Sequence, residues 1–159
     1  MAIKRIGSDE WRTVRRVRLA ALKDTPDWFW SAYEEEVDKP ESWWRDFIEL
    51  GAWFIAYETD RPVGVAAAIA GPELHESDRQ LISMWVAPEV RGQGIGTQLV
   101  EAVKAWARES GVRELQLEVT EGNGDAARLY ERCGFRATGR TTPLPRNPEL
   151  VEREMRLRM

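Results

Sequence analysis

The sequence predicts a three-layer α/β (α+β) sandwich, in which helices cover both faces of a mixed, mostly antiparallel sheet. Three observations support this class. Several short segments are either continuously apolar or alternate apolar and polar residues, as in strands. Two of these segments are separated by a short turn with Asp and Pro, which indicates a hairpin. Two others are separated by a long amphipathic segment, which indicates a strand-helix-strand crossover.

The first half of the chain is predicted to hold one strand, one long helix, one or two short helices and the hairpin. The long helix follows a strand at residues 3–6, is capped by Ser8 and ends near Pro26. Its four arginines, Arg12, Arg15, Arg16 and Arg18, predict a solvated face. Residues 27–50 are aromatic and acidic and predict the short helices. The hairpin strands are expected at 52–57 and 63–69.

The second half is predicted to alternate strands and helices. A strand at 81–86 precedes a glycine-rich turn and a helix over 94–110, which Gly111 ends. The remaining elements are a strand at 115–120, a short helix at 126–133, a loop at 141–148 and a last strand at 151–159. No repeat or linker interrupts the order, so we expect a single domain over residues 1–159.

Composition and charge exclude several classes of function. A net charge of −4 provides no overall positive field for nucleic acid. The longest uncharged stretch, residues 62–72, is too short to span a membrane. The single cysteine, Cys133, cannot form an internal disulfide, and its apolar helix face predicts packing. Without a signal peptide, the sequence predicts a cytoplasmic protein with no metal site, no nucleic-acid partner and no membrane association.

A glycine-rich turn between a predicted strand and a predicted helix is the most informative segment. Glycines 92, 94 and 96 follow Arg91, and their backbone amides can converge on an anion at the helix start. The pattern is typical of a phosphate-binding turn. A nucleotide P-loop is excluded because the turn lacks lysine. A dinucleotide fingerprint is only weakly matched, because Thr97 or Leu99 stands where it needs glycine or alanine.

Two segments in this region resemble the motifs of the GCN5-related N-acetyltransferases. Residues 91–96, RGQGIG, resemble the R/Q-x-x-G-x-G/A signature of that family. Residues 123–135 resemble its next motif, through Asn123, Ala126, Leu129-Tyr130 and Gly134-Phe135. The resemblance covers residues 81–135. It implies the acyl-CoA N-acyltransferase fold and direct transfer of an acetyl group from acetyl-CoA to a primary amine of a small molecule, peptide or protein.

The resemblance also implies where acetyl-CoA binds. The glycine-rich turn is expected to hold the pyrophosphate, and a bulged strand is expected to pair with the pantetheine amides. Asn123 is expected to contact the cofactor, although a helix cap is an alternative role. The implied cofactor-binding residues are Met84, Trp85, Val86, Arg91, Gly92, Gln93, Gly94, Ile95, Gly96, Thr97 and Asn123.

Two catalytic residues are implied in the same way. Glu118, within Leu117-Glu118-Val119, resembles the glutamate of the ribosomal-protein alanine acetyltransferase branch. It is the candidate general base, with a water chain or a merely exposed carboxylate as alternatives. Tyr130 is the candidate general acid for the departing thiolate, with a core tyrosine as the alternative.

The acceptor amine is not identified by the sequence. Residues 27–50, 71–78 and 141–148 lie outside the cofactor motifs and are expected to select it. Their glutamates could attract a cationic amine or simply be solvated. Two other functions stay open, a non-catalytic acyl-CoA-binding regulatory module and a nicotinamide-dependent oxidoreductase. A homodimer is compatible with the sequence.

Overall fold

Seven strands form one sheet in the computed structural model, which describes residues 1–159. The strands are β1 (Ala2–Ile6), β2 (Gly51–Glu58), β3 (Arg61–Ile69), β4 (Asp78–Val86), β5 (Glu114–Thr120), β6 (Arg136–Leu144) and β7 (Asn147–Arg158). Their order across the sheet is β1-β2-β3-β4-β5-β7-β6. Neighbours are antiparallel except β4 and β5, which are parallel. The predicted mixed, mostly antiparallel sheet is therefore confirmed.

Five helices cover the sheet. They are α1 (Trp11–Asp24), α2 (Tyr33–Glu36), α3 (Glu41–Glu49), α4 (Ile95–Glu109) and α5 (Gly124–Arg132). Helices α1 and α3 pack against β2 to β4, and α4 packs against β1 to β4. Residues 52–56 and 63–68 are buried without interruption, which requires cover on both faces of the central strands. None of these helices is long and apolar enough to cross a membrane.

Strands β4 and β5 pair over only three residues and then separate. The parallel ladder joins residues 78–80 to residues 114–116. Beyond it, β4 stays paired with β3 but carries a bulge, because the register shifts between the Val65–Trp85 and Ala67–Ile82 pairs. Ser83, within this bulge, has a left-handed φ of 60°. The separation leaves a wedge between the second halves of β4 and β5, as the resemblance implied.

The structure corrects the sequence prediction near the C-terminus. Residues 136–144 form a strand, whereas the sequence pattern predicts no strand between residues 120 and 151 and a loop over 141–148. Strand β6 lies at the edge of the sheet, paired only with β7. Of its nine residues only Leu144 is buried. An edge strand exposed in this way needs no apolar alternation, so the pattern that marks other strands is absent.

The predicted solvated face of α1 is wrong for one of its four arginines. Arg18 is only 7% exposed. Its Nε and Nη2 donate to the two carboxylate oxygens of Glu36 on α2, at 3.0 and 2.9 Å, and its Nη1 donates to Ser83 Oγ at 2.6 Å. The guanidinium also lies over the rings of Phe29 and Phe47. This buried, paired charge links α1 and α2 to the β4 bulge.

Candidate active site

The wedge between β4 and β5 is occupied by a cavity of about 1140 Å³. One end is lined by the glycine-rich turn and by α5. The other end is lined by residues 28–30, residues 71–74 and the side chains of Glu118 and Glu152. Tyr130 and the second half of β4 line the cavity as well. The structure thus places both predicted catalytic residues and most predicted cofactor residues around one space.

The turn at the first end contains backbone amides without acceptors. Helix α4 begins at Ile95, and its first internal hydrogen bond runs from the Gln98 amide to the Gly94 carbonyl. The amides of residues 92–97 donate to no backbone carbonyl. Gly92 and Gly94 have φ values of 78° and 83°, which side-chain-bearing residues rarely adopt. The two glycines therefore allow the turn that leaves six donors unpaired at a positive helix end.

The side chains of the turn do not all face the cavity. Arg91 lines the cavity, and its Nε donates to the Val86 carbonyl at 2.9 Å and its Nη2 to Asp24 Oδ2 at 2.5 Å. Gln93 is exposed and does not line the cavity. A side chain at Gly96 would place its Cβ 2.9 Å from Met84 Cε. Gly96 therefore lets the start of α4 lie against β4, whereas Arg91 fixes the preceding loop.

The predicted residues on β4 and α5 also line the cavity. Met84, Trp85 and Val86 border it, and the Trp85 indole Nε1 donates to Asp24 Oδ2 at 2.9 Å. Asn123 borders it while capping α5, because its Oδ1 accepts from the Ala126 amide at 3.4 Å. The helix cap, which is the alternative role of Asn123, is therefore present.

Tyr130 is 6% exposed and its ring packs edge-to-face against Phe135, with centroids 5.9 Å apart. Burial raises the pKa of the phenol well above its ordinary value of 10, and no hydrogen bond offsets that cause. The hydroxyl is therefore protonated at neutral pH. A neutral donor beside the cavity can stabilise negative charge that develops there.

Glu118 lies beside a second carboxylate that the sequence does not reveal. The Trp30 indole Nε1 donates to Glu118 Oε2 at 3.1 Å. Glu152 on β7 is 4% exposed and contacts Glu118, and both line the cavity. Burial and the neighbouring Glu118 raise the pKa of Glu152 to about 8, and burial raises the pKa of Glu118. Glu152 therefore holds a proton at neutral pH, and its titration is linked to that of Glu118.

No sequence pattern could have identified Glu152. The apolar alternation of β7 marks the face of Met155 and Leu157, and it assigns Glu152 to the opposite, polar face. Only the register of β7 against β5 brings that face beside the cavity, where Thr120 lies opposite Glu152. This register joins residues more than thirty positions apart in the chain.

The titration of Glu152 predicts how stability depends on pH. Its folded-state pKa of about 8 lies above the ordinary value of 4.5, so its contribution is complete below pH 4.5 and is lost as the pH rises through 8. Glu152→Gln mimics the protonated form. We expect this variant to unfold with a free energy about 1–3 kcal/mol greater than the wild type at pH 9 and nearly equal at pH 4.5. Urea unfolding at both pH values measures this difference, and a difference independent of pH would contradict the assignment.

A single arginine holds residues 26–30, the aromatic loop, which borders the second end of the cavity. Arg146, in the turn between β6 and β7, donates to the carbonyls of Pro26, Phe29 and Trp30 at 2.5, 2.6 and 2.9 Å. Trp28 and Trp30 on this loop are exposed beside the cavity. Of the three segments expected to select the acceptor, 27–50 and 71–78 contribute to the lining. Residues 141–148 contribute none, but their Arg146 fixes the loop.

Comparison with known proteins identifies relatives over most of the chain. The model of the acetyltransferase (GNAT) family matches residues 19–135. Peptidyl-lysine N-acetyltransferase YjaB of Salmonella typhimurium is 29% identical over 140 residues, which cover 87% of this chain and 86% of YjaB. Mycothiol acetyltransferase of Geodermatophilus obscurus is 28% identical over 134 residues, which cover 82% of this chain. The chain spans only 42% of the length of that second relative.

Solved structures share the fold at lower sequence identity. Ribosomal-protein-alanine N-acetyltransferase from Brucella melitensis superposes with a TM-score of 0.77 at 21% identity, covering 100% of both chains. The yncA protein of Salmonella typhimurium, solved with its cofactor acetyl-CoA, superposes with a TM-score of 0.79 at 18% identity, covering 99% of this chain and 93% of yncA. The predicted acyl-CoA N-acyltransferase fold is therefore confirmed. The comparisons support neither the non-catalytic module nor the oxidoreductase.

Proposed function

This chain belongs to the acetyltransferase (GNAT) family and is an acetyl-CoA-dependent N-acetyltransferase, and from that premise we propose which of its residues bind the cofactor and which transfer protons. The amides of residues 92–97 hold the pyrophosphate, Glu118 is the general base and Tyr130 is the proton donor. The observation that carries this proposal is one continuous cavity. It runs from the unpaired amides to the Glu118 carboxylate and passes Tyr130.

The residues at the turn fit an anionic cofactor. Six amides without backbone acceptors at the start of α4 provide hydrogen-bond donors and a positive helix end. Arg128 and Arg132 on α5 also line the cavity, so positive side chains lie at this end. Arg91 supports the site indirectly, because its guanidinium is held by Asp24 and by the Val86 carbonyl. When bound, acetyl-CoA supplies the activated acetyl group.

A substitution at Gly94 tests the role of the turn. Gly94 has a φ of 83°, and nothing lies within 4 Å of a Cβ added there, so Gly94→Val strains the backbone without a steric clash. We expect the coenzyme A Kd to rise about tenfold, since a left-handed conformation costs about 1–2 kcal/mol for an L-residue. Calorimetry measures the Kd. The maximal rate at saturating acetyl-CoA should fall less than the affinity.

Gly111→Val is the matched control for this substitution. Gly111 lies just beyond the other end of α4, has a φ of 73° and also has nothing within 4 Å of an added Cβ. Its substitution should reduce stability similarly and leave the coenzyme A Kd unchanged. Equal Kd changes in both variants would mean that the turn at 92–97 does not hold the cofactor.

The second end of the cavity suits a cationic amine. Glu73, Glu118 and Glu152 line it, and the nearby Arg18 is already paired with Glu36. The exposed rings of Trp28 and Trp30 add faces that favour a cation. We therefore propose an alkyl ammonium of the lysine side-chain class as the acceptor. The peptidyl-lysine activity in the name of YjaB supports this choice.

The chemistry follows from the protonation states at the two ends. An alkyl ammonium with a pKa of about 10.4 is free base in only about one of 2,500 molecules at pH 7, so a base is needed. Glu118 takes one proton from the ammonium, and the free amine would then form the C–N bond as the C–S bond breaks. The second proton lost by the nitrogen would pass to the departing sulfur, which leaves as the thiol. Tyr130 donates a hydrogen bond toward the negative charge that develops on sulfur.

An amine panel tests the activity and the acceptor together. Release of free coenzyme A thiol is measured with an N-terminally blocked peptide holding one lysine, a lysine-free peptide with a free N-terminus, and a small alkyl amine. We expect the blocked lysine peptide and the alkyl amine to be acetylated faster than the free N-terminus. Preference for the lysine-free peptide would contradict the acceptor class. Coenzyme A binding without thiol release from any amine would contradict the catalytic assignment.

Two further expectations belong to this proposal. We propose that residues 1–159 act as a single domain, in keeping with the one sheet that spans β1 to β7. A homodimer also stays a prediction, which sedimentation of the purified chain would test.

A further inference from the structure

We propose that Glu152 is a second carboxylate of the acceptor site. Its Oε1 accepts a hydrogen bond from the acceptor's ammonium group, while Glu118 takes the proton. This inference rests on the proposed function of the same cavity. It extends that function by assigning the recognition of a positive charge to a residue on a different strand from the base.

The first support is an unpartnered buried oxygen. Glu152 is 4% exposed, and its Oε1 has no hydrogen-bond partner. Buried polar atoms are rarely left without partners, because desolvating them costs free energy. Glu152 also lines the cavity. Glu152 therefore combines a buried oxygen without a partner with a position in the cavity lining, where a donor on the ligand can supply the missing hydrogen bond.

Glu154 provides an internal comparison on the same strand. It points to the same face of β7 and is similarly buried, at 7% exposed. In contrast to Glu152, it accepts from Thr138 Oγ1 and from Arg156 Nε, each at 3.0 Å. Glu154 does not line the cavity. The fold thus supplies partners for Glu154, whereas it leaves Oε1 of the neighbouring Glu152 without one.

The charges around Glu152 leave its negative form uncompensated. Strand β5 presents Glu118, and β7 presents Glu154, which Arg156 already pairs. The guanidinium of Arg140 on β6 lies 3.8 Å from Glu154. The aromatic loop contributes only the neutral Trp30 indole. An ionised Glu118–Glu152 pair therefore carries an excess negative charge that an incoming ammonium can balance.

Proton balance makes the inference measurable. Near neutral pH Glu152 holds a proton, because burial and Glu118 raise its pKa to about 8. Binding of the ammonium displaces this proton to solvent, and Glu118 then receives a proton from the ammonium. Acceptor binding should therefore improve as the pH rises through 8. An alkyl amine remains about 96% cationic at pH 9, so the titration of the amine itself contributes little to the pH dependence of acceptor binding.

The test uses steady-state kinetics with the blocked single-lysine peptide at saturating acetyl-CoA, between pH 6 and pH 9. In the wild type we expect the acceptor KM to fall about a hundredfold over this range, because only Glu152 that has lost its proton, with a pKa of about 8, accepts from the ammonium. In Glu152→Gln the KM should be independent of pH and about tenfold to a hundredfold above the wild-type value at pH 9, as for loss of a charged hydrogen bond. The coenzyme A Kd should not change. Glu154→Gln is the matched control and should keep the wild-type pH dependence.

The possible failures are distinguishable. A Glu152→Gln variant whose acceptor KM follows the wild type at every pH would overturn the role of Glu152, with the proposed activity intact. A flat wild-type KM would overturn it as well, even if the variant did not fold. A wild-type protein that binds coenzyme A and acetylates no amine would instead overturn the proposed function.

Discussion

Tyr130→Phe should lower kcat about 100-fold and leave the coenzyme A Kd nearly unchanged. The substitution removes only the hydroxyl, so the edge-to-face packing of the ring against Phe135 is kept. The buried phenol is protonated at neutral pH because its pKa lies well above 10. It can therefore donate a hydrogen bond to the sulfur in the transition state. The loss of one proton donor typically lowers the rate by about 10²–10⁴. Thiol release at saturating substrates measures kcat, and calorimetry measures the Kd.

Tyr57→Phe provides the control for this substitution. Tyr57 lies on β2, is half-buried and does not line the cavity. Its phenol pKa is also raised by burial, so the two variants lose chemically similar hydroxyls. We expect kcat of Tyr57→Phe to equal that of the wild type. An unchanged kcat in Tyr130→Phe would remove the proton-donor role and leave Tyr130 as a packing residue.

The end of the cavity that we propose for the cofactor has residues that are local in sequence, so its position in the chain could be predicted. Arg91 to Thr97 form one turn at one helix start, and the donors are backbone amides whose placement depends on glycine. Local conformational preference therefore determines most of this end. The side chain of Arg91 is the exception. Arg91 lines the cavity, but no sequence pattern predicts its ion pair with Asp24, which lies near it because the end of α1 packs beside β4.

The end that we propose for the acceptor could not be predicted, because it is assembled by strand register and by contacts between distant parts of the chain. Glu118, Glu152 and Trp30 come from β5, β7 and the loop after α1. Arg146 fixes that loop from a position more than 110 residues away. In each case the residue type is ordinary for its local segment. Its role depends on a strand pairing or on a packing contact that hydrophobic patterning does not specify.

The same distinction explains the wrong prediction for Arg18. A helix arginine is normally solvated, and the spacing of Arg18 beside Arg15 and Arg16 suggests an ordinary basic face. Its burial depends on Glu36 and Ser83, which lie on other elements. A buried charge is tolerated only when its hydrogen bonds are satisfied. The contact with Ser83 also connects this ion pair to the bulge where β4 leaves β5.

Glu118→Gln should lower kcat/KM about 100-fold at pH 7, and the loss should shrink as the pH approaches 10. The base matters most where the acceptor is almost fully protonated, and it becomes unnecessary as the free amine accumulates. In the wild type, activity should fall at acidic pH as Glu118 gains a proton, at a pH above its ordinary pKa because burial raises that value. A pH–rate profile with the blocked lysine peptide measures both effects.

Two variants decide how this profile is interpreted. Glu114→Gln, at the start of β5, removes a carboxylate that pairs with Arg156 outside the cavity and should leave the profile unchanged. Glu118→Gln removes one cause of the raised pKa of Glu152, so Glu152 can supply part of the residual activity as the pH rises. The double variant Glu118→Gln/Glu152→Gln should lose that residual activity and recover only near pH 10. A Glu118→Gln profile that matches the wild type throughout would place the base elsewhere in the cavity.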